Sequence, residues 1–163
     1  MSDLQAFWNQ PNRALRNARI LFAGLTIGFG VASITYAALP TYTVAQFKLW
    51  DSLLGGGADY PETQNRIWIA LAAANVATLS LMSWLLWRDP VKNRPVHLPL
   101  LFMKTVSATL FVLWWVATPG CRSLWVAAIG DFFTGAAIWY FPMRAYQSLE
   151  TGGVSATRVA ATS

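Results

Sequence analysis

Four stretches of this chain, roughly Ile20–Leu39, Ile67–Trp87, Leu98–Thr118 and Ser123–Phe141, are almost free of charge, and each is 19 to 21 residues long. A helix rises 1.5 Å per residue, so about 20 residues cross a 30 Å hydrocarbon layer. Charges are confined between these stretches, which a soluble domain has no reason to do four times over. Only 12% of the residues are charged, about half the share of a soluble domain. The chain therefore reads as all-α: an integral membrane four-helix up-down bundle. The first stretch is too long for a signal-peptide core of about 7–15 residues, and Pro40 stands where cleavage would fall. It reads as a retained helix.

Orientation follows from the distribution of Lys and Arg. Arg13, Arg16 and Arg19 precede the first stretch, Arg88, Lys92 and Arg94 fill the second loop, and Arg144 and Arg158 lie in the tail. The first and third loops hold only Lys48, Arg66 and Arg122. Eight against three places both termini and the second loop in the cytoplasm. The net charge of +5 then needs no nucleic acid to explain it. The bilayer is the first partner expected, with membrane-protein partners or further copies of the chain next. An inner (plasma) membrane location is expected.

The segments between the spans have their own character. Residues 1–18 read as a cytoplasmic interfacial segment: Ser2-Asp3-Leu4-Gln5 resembles a capping box, Phe7 and Trp8 follow, and Pro11 breaks the run. Residues 19–146 form the transmembrane domain. Within its first outer loop, Val44–Leu54 mixes apolar residues with Gln46, Lys48 and Asp51, as an interfacial helix would, and Gly55-Gly56-Gly57 ends it. Pro61-Glu62-Thr63 suits the start of the second span, with a proline in the first turn and an acid at the positive helix end. The second loop, Arg88–His97, is short and proline-rich, and Pro119-Gly120-Cys121-Arg122 is shorter, so successive spans are antiparallel neighbours. Residues 147–163 are small and polar and read as a disordered tail.

Gly24-xxx-Gly28 in the first span, with Gly30 and Ala32 beyond, would let a neighbouring backbone approach closely. Nine tryptophans fall near the span ends: Trp50, Trp68, Trp114, Trp115 and Trp125 at the outer boundary, and Trp8, Trp84, Trp87 and Trp139 at the inner one. Anchoring at the headgroup layer accounts for them; an aromatic ligand cavity at Trp114-Trp115 is the alternative.

Two ionisable residues lie inside spans, Lys104 and Asp131. An intramembrane charge costs about 2.5–3.5 kcal/mol on insertion scales, so each needs a partner or a purpose. Counting rise per residue separates their backbones by about 6 Å in depth, and helix side chains lean toward the helix N-terminus, which on antiparallel helices directs these two apart. The expectation is that Lys104 snorkels to the inner headgroups. Asp131 would then join a mid-membrane polar layer with Asn75 and Thr109, and with Thr26 or Ser107 nearby. Two readings of that layer stay open: a structural hydrogen-bond cluster around a protonated Asp131, or a proton-binding or ligand-anchoring carboxylate.

Other chemistry is excluded or silent. Cys121 is the sole cysteine, so no internal disulfide or paired-cysteine metal site is possible. His97 is the sole histidine, reads as a loop residue between Pro95 and Pro99, and rules out a Ser-His-Asp centre or a His-rich metal site. No glycine-rich phosphate loop is present, and no cofactor is specified.

Trp87-Arg88-Asp89-Pro90, then Lys104 in the following helix and Gly130-Asp131 midway along the last, resemble small four-helix bacterial membrane proteins of the DoxX-like kind over roughly residues 20–145. The resemblance implies a fold and a location and supplies no activity. The leading functional expectation is a non-enzymatic accessory subunit, or a binder of a lipophilic molecule such as a quinone or lipid, using the bundle core around Asp131. The alternatives are an oligomeric proton-coupled transporter with Asp131 as the titrating group, and an intramembrane enzyme using Asp131 and Lys104 as acid and base.

Overall fold

A computed structural model describes residues 12–57, 66–118 and 120–160. The expected capping box at Ser2, the aromatic pair Phe7 and Trp8, and the Pro61-Glu62-Thr63 helix start lie outside the described residues. Among those described there are five helices and no strand: α1 (Arg13–Ala38), α2 (Pro40–Leu53), α3 (Arg66–Arg88), α4 (Arg94–Ala117) and α5 (Ser123–Ala160). All but α2 contain a segment long and apolar enough to cross a bilayer, as an integral membrane protein requires.

Local chemistry sets the boundaries. Asn12 caps α1, its Oδ1 accepting the Leu15 N–H at 3.1 Å. Pro40 occupies the first position of α2, where a missing N–H costs nothing. At the far end α2 stops in a turn closed by Gly56 N–H donating to the Asp51 carbonyl, with Gly55 at φ +74°. Only glycine adopts that left-handed conformation without strain. Between α3 and α4, Asp89 Oδ1 accepts the N–H groups of Val91 and Lys92, closing a tight turn. The orphaned carbonyls at the end of α3 are also collected: Arg19 donates to Trp87, and Asn93 to Leu85 and Asp89. The Tyr146 hydroxyl donates to Pro90. With Arg19 also donating to the Arg88 carbonyl, all four residues Trp87-Arg88-Asp89-Pro90 supply carbonyls to this turn, and Asp89 closes it, so the motif builds a helix end.

The four long helices alternate in direction. α1 packs chiefly on α3 and α4 chiefly on α5; contact between α1 and α5 joins the two pairs, while α3 and α4 touch more lightly. Interhelical hydrogen bonds fix the first pair, Ser33 donating to the Ala73 carbonyl at 2.9 Å and Ser80 to the Thr26 carbonyl at 2.8 Å. The apolar core, Phe22, Leu79, Leu86, Leu100 and Ile138, sits in the half of the bundle nearest the α3–α4 turn. The half nearest α2 buries few large side chains, and Ile27, Val31, Ile34, Phe132 and Phe133 face outward. In a bilayer this carries no penalty, because lipid tails are as apolar as leucine.

Four expectations change. Gly24 and Gly28 lie on the open face of α1 with no neighbouring atom where a Cβ would be; it is Gly30 that packs, against Ser80 Oγ. Asp51, expected on the polar side of an interfacial helix, is buried, and its Oδ1 accepts the Ser123 N–H at 2.7 Å, capping α5. His97 lies within α4, not in a loop, and is buried. Residues 147–160, expected as a tail without structure, continue α5, and Ser148 and Glu150 meet Asn12 and Arg94 there.

Candidate functional site

Lys104 and Asp131 meet. Lys104 Nζ donates to Asp131 Oδ1 at 2.6 Å, and the Ser107 hydroxyl donates to Asp131 Oδ2. The Lys104 and Asp131 side chains are 9% and 15% exposed, so the pair is largely withdrawn from its surroundings. Both carboxylate oxygens accept, one from the Lys104 ammonium and the other from the Ser107 hydroxyl. The ammonium also lies 4.6 Å from the centre of the Phe29 ring, on the electron-rich face that attracts cations. α1, α4 and α5 thus each contribute to one site.

The route of the lysine explains why sequence counting separated the two groups. Lys104 Cβ lies 3.7 Å from the point a Gly135 Cβ would occupy, so its backbone sits level with Gly135. Gly135 is one helical turn, about 6 Å, from Asp131 along α5. The depth offset was therefore sound. What it missed is that a four-carbon side chain spans one turn, here starting beside Gly135 of α5 and ending on Asp131. Lys104 runs toward Asp131, against the usual lean, and does not snorkel to the near end of the bundle.

The expected polar layer does not assemble. Asn75 is exposed on α3, and Thr109 is exposed on α4 with its hydroxyl turned back to the Thr105 carbonyl at 2.9 Å. Thr26 and Thr134 likewise bond to carbonyls of their own helices, Phe22 and Gly130. A threonine hydroxyl in a helix always has such an acceptor one turn back, so it has no need to seek Asp131. Of the layer, Ser107 alone joins Asp131. The groups of four candidates, Asp131, Asn75, Thr109 and Lys104, therefore resolve into one pair and two outward-facing residues.

Tyr36 of α1 is partly buried. It also lines a cavity of about 210 Å³ with Thr43, Gln46, Phe47 and Trp50 of α2 and Ser123, Val126 and Ala127 of α5. This space opens at the α2 end of the bundle. Sequence pattern did not single it out, because its walls come from three helices; the mixture of Gln46 with Phe47 and Trp50 on α2 was the available signal.

At the opposite end, His97 Nε2 donates to the Ile138 carbonyl at 2.7 Å. Pro142 lies four residues beyond Ile138 in α5 and has no N–H to offer it. The histidine replaces the missing backbone donor, and a carbonyl can only accept, so the proton sits on Nε2. That is a structural role. Among the described residues no group of three or more metal-ligating side chains occurs.

Comparison with family models, characterised proteins and solved structures returns no match.

Proposed function

We propose that this is a small polytopic membrane protein that binds a lipophilic molecule with a polar head, a quinone or a lipid, on its own or as the accessory subunit of a larger complex. The observation that carries the reading is the cavity beneath α2. Its aromatic walls, Phe47 and Trp50, suit a ring or acyl chain, and Gln46, Thr43 and Tyr36 offer hydrogen bonds to a carbonyl or hydroxyl head. About 210 Å³ holds a head, with the tail left in the bilayer.

On this reading both termini are cytoplasmic, α2 lies at the outer surface of a bacterial inner membrane, and the bundle is of the DoxX-like kind suggested by Lys104 and Gly130-Asp131. The weak burial of large side chains in the half nearest α2 fits a binding region better than a sealed core. The alternatives gain less. A proton carrier needs Asp131 free to bind and release, whereas Lys104 occupies it. An acid–base enzyme has its two groups at 2.6 Å, but turned on each other and not on a shared substrate position.

Organic extraction of protein purified in mild detergent tests the proposal. A quinone or one lipid species should be recovered near one per chain, and Val126→Trp, which fills the cavity, should lose it. Recovery of lipids only in the proportions of the bulk membrane, unchanged by Val126→Trp, would remove the reading.

A further inference from the structure

A larger cavity, about 400 Å³, lies at the junction of α4, α5 and the end of α2, lined by Leu54, Trp115, Arg122 and Trp125. It shares no residue with the cavity beneath α2. The Trp115 and Trp125 rings stack with centres 5.0 Å apart and planes 32° from parallel. Arg122 Nη1 donates to the Leu54 carbonyl, which pins the guanidinium beside these rings. Five N–H groups project from a guanidinium in a flat fork, and that bond engages one of them. Among the described residues no carboxylate lies within ion-pair reach of Arg122. The acid at this junction, Asp51, is buried; its Oδ1 is engaged by the Ser123 N–H, while its Oδ2 has no hydrogen-bond partner among the described residues.

We propose that this cavity binds a phosphate group at the level of the lipid headgroups. A pinned guanidinium matches phosphate bidentately, which a flexible ammonium does not. Indole rings suit the boundary where a polar head meets apolar chain, so Trp115 and Trp125 cover the glycerol and first methylenes while Leu54 closes the side. The bond to the Leu54 carbonyl serves the end of α2, as Arg19 serves the end of α3, and it also holds the guanidinium still at a cost in side-chain entropy. Held in place, it has already met that cost before the phosphate arrives.

Native mass spectrometry from nanodiscs doped with phosphatidylglycerol tests the lipid source, and melting of detergent-purified protein in inorganic phosphate tests the soluble one. Wild type should retain one phosphatidylglycerol under activation that strips the rest. Arg122→Gln should retain it about tenfold less, the scale of one lost charged hydrogen bond, and Arg122→Lys should fall between. Trp125→Leu leaves the Arg122–Leu54 bond in place and should also lower retention, which keeps the test valid if Arg122→Gln does not fold. If only inorganic phosphate discriminates, raising the melting temperature of wild type and not of Arg122→Gln, the phosphate site stands and its source is soluble. Equal lipid retention and equal phosphate response in wild type and folded variants would overturn the proposal and leave ordinary interfacial anchoring.

Discussion

Lys104 and Asp131 sit one turn apart in depth, yet the pair forms because the lysine stem is long enough to span that turn beside Gly135 of α5. Both charges are withdrawn from water, so removing one strands the other. Breaking a buried pair from one side costs about 3–5 kcal/mol, whereas replacing both partners with apolar groups of similar volume is often neutral. Lys104→Met and Asp131→Leu should each lower stability by that order, and the double variant should recover most of the loss. Reversible unfolding in mixed micelles, arranged as a double-mutant cycle, measures this directly. Additive losses would mean that the pair contributes nothing as a pair.

At the scale of the element, proline and histidine are coupled across two helices. Pro142 orphans the Ile138 carbonyl inside α5, and His97 of α4 satisfies it. Loss of a donor to a buried carbonyl costs about 1–3 kcal/mol. His97→Phe should therefore destabilise wild type by that amount and do much less in a Pro142→Ala background, where residue 142 regains an N–H for Ile138. Thermal melts of the four proteins decide it, and an undiminished loss in the Pro142→Ala background would reject the substitution of one donor for the other. This coupling also marks what the sequence could convey. Charge-free runs of spanning length made the four long helices legible, since the bilayer forces every backbone group to pair within its own segment. The boundaries at Asn12, Pro40 and Asp89 are local, with hydrogen-bond partners only two or three residues away where a side chain bonds at all. His97 with Ile138, Asp51 with Ser123 and Lys104 with Asp131 join residues 41, 72 and 27 positions apart. Such pairs depend on rotation of one helix about its axis relative to another, which hydropathy does not encode when both faces of a helix may be apolar. The same ambiguity set Asn75 and Thr109 toward Asp131 in depth while their helices turn them outward.

For the whole molecule, the unequal placement of cations matters more than their number. Arg13, Arg16, Arg19, Arg88, Lys92, Arg94, Arg144 and Arg158 lie at or beyond the end of the bundle that carries the α3–α4 turn, and Lys48, Arg66 and Arg122 toward the end that carries α2. Cations close to a span are held back from crossing during insertion, so this end should face the cytoplasm. The chain offers its own probe of the outcome. Cys121 is the sole cysteine, and it lies at the α2 end, between α4 and α5, partly accessible. A membrane-impermeant maleimide added to intact spheroplasts should therefore label the wild-type protein and leave Cys121→Ala unlabelled. Moving the thiol to the opposite end, as Cys121→Ala with Lys92→Cys in the α3–α4 turn, should abolish labelling until the membrane is permeabilised. The reverse pattern, with Lys92→Cys labelled in intact cells and Cys121 protected, would invert the protein. It would place α2, the Tyr36 cavity and Arg122 at the cytoplasmic leaflet, where anionic lipids are a more abundant source of phosphate for the Arg122 site.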